Sequence, residues 1–194
     1  IVDNRAGGAT NIGAELAAHA APDGYTFFIG GIANSVNATL YARLPYDFVK
    51  DFAPVSLMTV APMILALHPS IPAKSIKELV ALAKATPGRL TYASAGIASP
   101  NHLAGELFKT LAHVDLVHVP YKGGGAVITD LLGGQVAMYF SAMPTTLPHV
   151  RTSKLRAIAV TSARRSQLVP DLPTIPAPGA PRYDQSLRHG PSAP

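Results

Sequence analysis

An α/β fold with largely parallel strands is predicted by a repeating unit, by the residues that end each strand, and by a low content of charge. Strand, small-residue loop and helix follow one another at residues 27–44, 90–111, 116–132 and 136–150, the alternation of layered α/β proteins. Each of these strand ends carries Gly, Ser, Ala or Asn, and in such sheets ligands sit off the carboxyl ends of the strands. Hydrophobic residues make up 48% of the 194 residues and charged ones 14%. The charged share is well below the roughly 25% usual in soluble domains, as expected of strands covered on both faces.

In chain order, Ile1 to Ala9 reads as the tail of a strand and a Gly7-Gly8 turn, with Asn11 capping a short Ala-rich helix to about Ala20. Pro22-Asp23-Gly24 is a turn signal, and Tyr25 to Ile29 is a strand by its aromatic and β-branched content. That strand opens into Gly30-Gly31-Ile32-Ala33-Asn34-Ser35, ahead of a helix over Val36 to Leu44. Val55 to Thr59 and Met63 to Leu67 read as strands. Ser75, with Glu78 three residues on, is a capping box for a helix ended by Thr86-Pro87-Gly88.

Leu90 to Ala93 is a buried strand, Ser94-Ala95-Gly96 a turn, and Ser99-Pro100 a helix start. A serine hydroxyl accepts from the free amides of the first turn, and proline at the first position loses no hydrogen bond. Leu103, Leu107, Phe108 and Leu111 give this helix its apolar face. Leu116 to Pro120 is a strand running into Tyr121-Lys122-Gly123-Gly124-Gly125 and a helix that ends at Gly133. Val136 to Phe140 is a strand meeting Ser141-Ala142, and Leu155 to Val160 is the last clear strand.

A strand that opens through tiny residues into a capped helix leaves bare amides and the positive end of the helix dipole in the gap. The loop from Ser94 to Ser99 is therefore read as a cradle for a carboxylate on which no chemistry is done. His102, near the third position of the helix, is placed to donate into it. Tyr92-Ala93-Ser94-Ala95-Gly96 is an incomplete nucleophile elbow, with Tyr92 where a glycine is needed. The alternative reading is an α/β hydrolase using Ser94, with Asp115 or Asp130 and His118 or His149 as partners. A nucleotide-binding module is a third reading, although Gly123-Gly124-Gly125 lacks the P-loop pattern. His118 alternates with Val117 and Val119 and reads as a hydrogen-bonded residue at the edge of the core.

The histidines (19, 68, 102, 113, 118, 149 and 189) contain no close ligand pair and cysteine is absent, so no metal, disulfide or cofactor is expected. The net charge of +5 is scattered, with Arg164-Arg165 the one adjacent basic pair, and nucleic acid is not an expected partner. Residues 52–73 carry no charge but are broken by Pro54, Pro62, Pro69 and Pro72, which reads as strands and turns rather than a membrane span. The chain starts at Ile1 and is read as a fragment.

Several stretches together resemble one family. They are VDNRAGG and NIGAELAAHAAPDGYTFFIG (from Val2), LYARLPYDFVKDFAPVSL (from Leu40), IPAKSIKELVALAKATPGRLTYASAG (from Ile71), HLAGELF (from His102), VHVPYKGGGAVITDLLGGQV (from Val117) and LRAIAVTSARRSQLVPDLPT (from Leu155). They resemble the Bug family of extracytoplasmic solute receptors, the substrate-binding component of tripartite tricarboxylate transporters, over nearly the whole chain. The resemblance implies a fold like that of type II periplasmic binding proteins. Two α/β lobes with a hinge close on a small carboxylate or dicarboxylate and present it to permease subunits in the membrane. A periplasmic location follows from the same resemblance, and a monomer is expected.

On this resemblance lobe one comprises 1–67 and 155–194, with its first part truncated, and lobe two comprises 68–154, with hinge crossings near 63–67 and 155–161. The implied ligand residues are Gly30, Gly31 and Asn34 in the first lobe and Ser94, Ala95, Gly96, Ser99, His102, Gly123, Gly124 and Ser141 in the second. Departures from the family pattern are also visible. The family's opening strand and its glycine-rich loop with an aspartate are not found at the amino end. In the closing segment from Arg182 to Pro194, Arg188 stands where tryptophan is usual and Pro191 where leucine is. Ile97 follows Gly96 where a polar residue is frequent, and is expected to narrow or dry the pocket. The fragment is expected to bind weakly or not at all, with lobe two intact and lobe one incomplete.

Overall fold

Caps, glycines and apolar runs set the element boundaries. In chain order the elements are α1 (Asn11–Ala18), β1 (Phe28–Gly31), α2 (Ile32–Leu40), β2 (Ala53–Pro54), β3 (Thr59–Leu67), α3 (Ile76–Ala85) and β4 (Thr91–Ser94). They continue as α4 (Pro100–Ala112), β5 (Val117–Pro120), α5 (Gly124–Leu132), β6 (Met138–Ala142), α6 (Met143–Arg151), β7 (Arg156–Val160) and β8 (Ser186–Ala193). The structure, a computed structural model, describes residues 1–5, 7–175 and 183–194; Arg182 of the predicted closing segment lies outside them. The chain divides into a first unit (Ile1–Val60, Ala98–Pro100, Leu187–Pro194) and a second (Ala61–Ile97, Asn101–Ser186).

In the first unit β8 pairs antiparallel with both β1 and β2, with Gly31 opposite His189 and Ala53 opposite Ala193. Its core gathers Ala14, Ala17, Tyr46 and Phe52 with half-buried Phe28 and Phe48. The Phe28 and Phe48 rings lie 5.5 and 5.6 Å from that of Phe52, within the range of favourable aromatic pairs. Gly30 is part of this packing, because a Cβ there would stand 3.2 Å from the Phe48 ring. The expected mouth at 30–35 is accordingly not a loop. Gly30 and Gly31 finish β1, and α2 begins at Ile32 because the Asn34 side chain accepts the Gly31 amide at 3.1 Å. The helix thus begins and ends earlier than the expected span of Val36 to Leu44.

In the second unit the strand order is β5-β4-β6-β3-β7. β4 runs parallel to β5 and β6, whereas β3 runs antiparallel to β6 and β7. The sheet is therefore mixed, which corrects the expectation of largely parallel strands. An apolar run encodes burial on both faces and carries no sign of direction. Met63, Ile64, Leu65, Ala66 and Leu67 are fully buried in β3. The strand reaches back to Thr59, leaving only Ala53–Pro54 as β2 where Val55 to Thr59 was expected.

The two faces of this sheet have different cores. Ala93, Val127, Leu131 and Tyr139 pack on the α5 side. Phe108 of α4 meets Phe140 at 5.9 Å and Tyr183 at 6.5 Å on the other. The predicted cap of α3 forms, with the Glu78 amide donating to Ser75 Oγ at 3.2 Å. The Glu78 carboxylate reaches one residue further back and accepts from the Lys74 amide at 2.8 Å. Residues 155–186 group with the second unit, whereas the expected lobe one included them. The pairing of β7 with β3 and the bond from the Gln185 amide to the Thr161 carbonyl account for that grouping. Among the described residues no helix is long and apolar enough to cross a membrane.

Candidate carboxylate-binding site

Parallel pairing of β4 with β5 and β6 puts three carboxyl ends on one edge of the second unit, at Ser94, Pro120 and Ala142. Helix α6 starts directly from Ala142 and α5 follows Pro120 after residues 121–123, and no side chain caps either one. The first-turn amides of a helix have no intrahelical acceptor, so uncapped starts present donors and the positive dipole end to the same space. Two loops at this edge are tied together by main chain. The Tyr121 amide donates to the Ser94 carbonyl at 3.0 Å and the Gly123 amide to the Ala95 carbonyl at 3.1 Å. Gly96 (φ +138°) and Gly123 (φ +116°) take backbone conformations that a side chain would strain. A Cβ on Gly124 would approach the Tyr139 hydroxyl to 3.3 Å.

Ser94 is fully buried at the end of β4. Its Oγ accepts the Gly96 amide at 3.1 Å, lies 3.0 Å from the Gly96 carbonyl oxygen, and lies 2.7 Å from His118 Nε2. Behind it the rings of Tyr92 and His118 stack at 4.8 Å, and His102 lies 4.2 Å from His118. The Tyr92 hydroxyl and Lys109 Nζ both donate to Glu106 Oε1, the latter at 2.9 Å. Burial holds the His118 imidazole below its ordinary pKa, with the neighbouring His102 pushing the same way. Burial does the same for His102, partly opposed by Glu106.

A histidine depressed in the folded state binds fewer protons there than when unfolded. The contribution of this pair to stability is therefore complete above the unfolded value of about 6.5 and is lost as the pH falls below it. Thermal melts are expected to show a lower Tm at pH 5.5 than at pH 7.5, with a shallower decline in His118→Leu. An identical decline in that variant would contradict the assignment.

Of the other sequence-predicted residues, Ser141 ends up fully buried in β6. Its hydroxyl accepts from Thr146 and lies 3.1 Å from Thr145 Oγ1. Ile97 is exposed and shares its loop with Gly96. Ser94, Ala95, Gly96, Gly123, Gly124 and Ser141 thus meet at one edge, with His102 in the cluster behind Ser94. Gly30, Gly31 and Asn34 belong to the first unit, and Ser99 groups with it. The Nδ2 of Asn34 donates to Thr10 Oγ1 at 2.9 Å. The concavities lined by Tyr41, Tyr46 and Phe48 and by Val2, Phe27 and Ile29 both lie in the first unit and include none of the predicted ligand residues. Asn101, which sequence reasoning passed over, is buried with Nδ2 donating to the Phe140 carbonyl at 2.6 Å. A polar residue one place after a helix-starting proline is ordinary, so no signal marked it.

Comparison with known proteins decides the family. Residues 1–194 match throughout the family described as TctC, the tripartite tricarboxylate transporter family receptor. The chain belongs to the TctC family. Among curated relatives, BugT of Bordetella pertussis is 36% identical over 185 residues, which cover 94% of this chain and 57% of that protein. Among solved structures, R. palustris Rpa4515 with adipate superposes with a TM-score of 0.91 at 35% identity, over 100% of this chain and 65% of that one. MatC from Rhodopseudomonas palustris with bound malate gives a TM-score of 0.88 at 30% identity, over 100% and 66%. The periplasmic binding protein BugD is also a neighbour, with a TM-score of 0.89 at 32% identity. The TctC chain described here therefore spans a little over half the length of those curated relatives and about two thirds of these solved ones. The family and the α/β receptor fold implied by the sequence resemblance both stand.

Proposed function

We propose that this TctC chain forms part of a periplasmic receptor that captures a small carboxylate or dicarboxylate and hands it to membrane permease subunits, without catalysis. The observation that carries this reading is the edge where Gly96, Gly123 and Gly124 meet two uncapped helix starts. Main-chain amides suit a ligand carboxylate because the acceptor is charged and the donors are fixed, so each bond is short and comparatively strong. The adipate and malate of the neighbouring structures give that ligand class its support. In this reading the receptor acts as a monomer, lobe one draws on 1–67 and 155–194 and lobe two on 68–154, and Gly30, Gly31 and Asn34 are the ligand residues of the first lobe.

Calorimetry with adipate, malate and their neutral dimethyl esters tests the proposal on this chain with the sequence that flanks it in its gene. Binding of a diacid with no binding of its diester is expected, and the 194-residue chain alone is expected to bind more weakly. Absence of binding by every diacid in the flanked chain would overturn the reading. A hydrolase using Ser94 is the second reading, favoured by the 2.7 Å approach of His118 Nε2 to its hydroxyl. Against it, Ser94 is fully buried, and Glu106, the carboxylate of the cluster, is held by Tyr92 and Lys109. A nucleophile needs access and a base oriented by a third group. Ester turnover abolished in Ser94→Ala would favour the hydrolase; a receptor shows no turnover to lose.

A further inference from the structure

We propose that His118 is the positioning residue of the carboxylate loop, holding the Ser94 hydroxyl and through it both backbone groups of Gly96. The inference rests on the receptor reading given above and names the part of the site that sets the loop. A serine hydroxyl has one hydrogen to give and two lone pairs to offer. Three groups crowd Ser94 Oγ: the Gly96 amide at 3.1 Å, the Gly96 carbonyl at 3.0 Å and His118 Nε2 at 2.7 Å. All three are satisfied together in one arrangement. Nε2 carries a hydrogen and donates to Oγ, the Gly96 amide donates to Oγ, and the hydroxyl donates to the Gly96 carbonyl. If Nε2 were bare, the single hydroxyl hydrogen would have to abandon either the imidazole or the Gly96 carbonyl.

The ring is itself clamped. Tyr92 stacks on it from β4 at 4.8 Å and His102 approaches from α4 at 4.2 Å, with Glu106 and Lys109 further along that helix. The main-chain bond from Tyr121 to the Ser94 carbonyl fixes the strand end, so the imidazole controls the rotor and the turn beyond it. Gly96 is held at φ +138°, where its amide orientation is set by these bonds rather than by an intrinsic preference.

Four variants test this in the chain with its native flanking sequence, with adipate as the probe. Leucine at 118 fills the space without a donor, whereas glutamine places an amide N–H about where Nε2 stands. His118→Leu is expected to weaken adipate binding about tenfold and to speed Gly96 amide exchange by a similar factor, the consequence of losing one part-buried hydrogen bond. His118→Gln is expected to stay within about twofold of the parent in both. In a Ser94→Ala background His118→Leu should add little, because the two residues act as one unit. The same loss in Gln as in Leu, or additive losses in the double variant, would overturn the proposal, as would Leu leaving both measurements unchanged. A parent chain that binds no diacid overturns the receptor reading and this inference with it. A parent that binds while His118→Leu binds equally well overturns the inference alone.

Discussion

Alanine at Gly105 is expected to destabilise the second unit by about 2 kcal/mol or more, although it sits in the middle of a helix where alanine is ordinarily the better residue. A Cβ at this position would stand 2.8 Å from Cζ of Tyr92 and closer still to Cε2 and Cδ2. Tyr92 has no free volume to retreat into. It is fully buried, stacked on His118 at 4.8 Å, and its hydroxyl is bonded to Glu106. The gain from replacing glycine inside a helix is about 1 kcal/mol. Overpacking a rigid site costs about 3 kcal/mol at the upper end of its usual range. The steric effect therefore wins, and α4 must lift from β4. Urea denaturation should show a lower midpoint with an unchanged slope, and a raised midpoint would mean that the ring is free to move.

The second large effect is expected at Gly190 in β8. Its backbone is not in a left-handed conformation, so alanine is conformationally acceptable and the cost is purely steric. A Cβ there would collide with the Ser56 carbonyl oxygen and stand 3.3 Å from its carbon. These are main-chain atoms, and they are pinned on both sides. The Val55 amide donates to the Pro191 carbonyl and the Met58 amide to the His189 carbonyl, each at 3.0 Å. A side chain cannot rotate away from such a contact, so the segment must leave the strand and give up both bonds. About 3 kcal/mol is expected, from overpacking together with the lost hydrogen bonds. Hydrogen exchange at Val55 and Met58 should accelerate strongly in Gly190→Ala; retained protection would contradict the steric account.

The second unit was more legible in the sequence than the first because its signals are local. Pro100 starts α4 and Ser75 caps α3, each as the residue type dictates, and α5 ends at the Gly133-Gly134 pair, where Gly134 takes φ +72°. The small-residue turns after Ser94 and at Gly123 were readable for the same reason. Strand direction was not readable, since the apolar run of β3 looks the same whichever way its neighbours run. β8 was invisible because Arg188, His189, Gly190 and Pro191 have no strand-like composition, and only pairing with β1 and β2 extends them. The bond from Ser94 to His118 spans 24 positions. Alternation with two valines placed His118 correctly at a half-buried edge, but nothing in that pattern names its partner. Asn34 is a similar case, since its place in a small-residue stretch gave no sign that its side chain accepts the Gly31 amide at the start of α2.

In the proposed receptor, carboxylate capture runs through main-chain amides at the edge shared by β4, β5 and β6. Titration of the isotope-labelled chain, with its native flanking sequence, by adipate while following the amide resonances tests it most directly. Saturable shifts are expected at Gly124 and Gly125, the uncapped first-turn amides of α5, sharing one Kd and absent with the dimethyl ester. Saturable binding of adipate that leaves both amides unmoved would contradict capture by these amides.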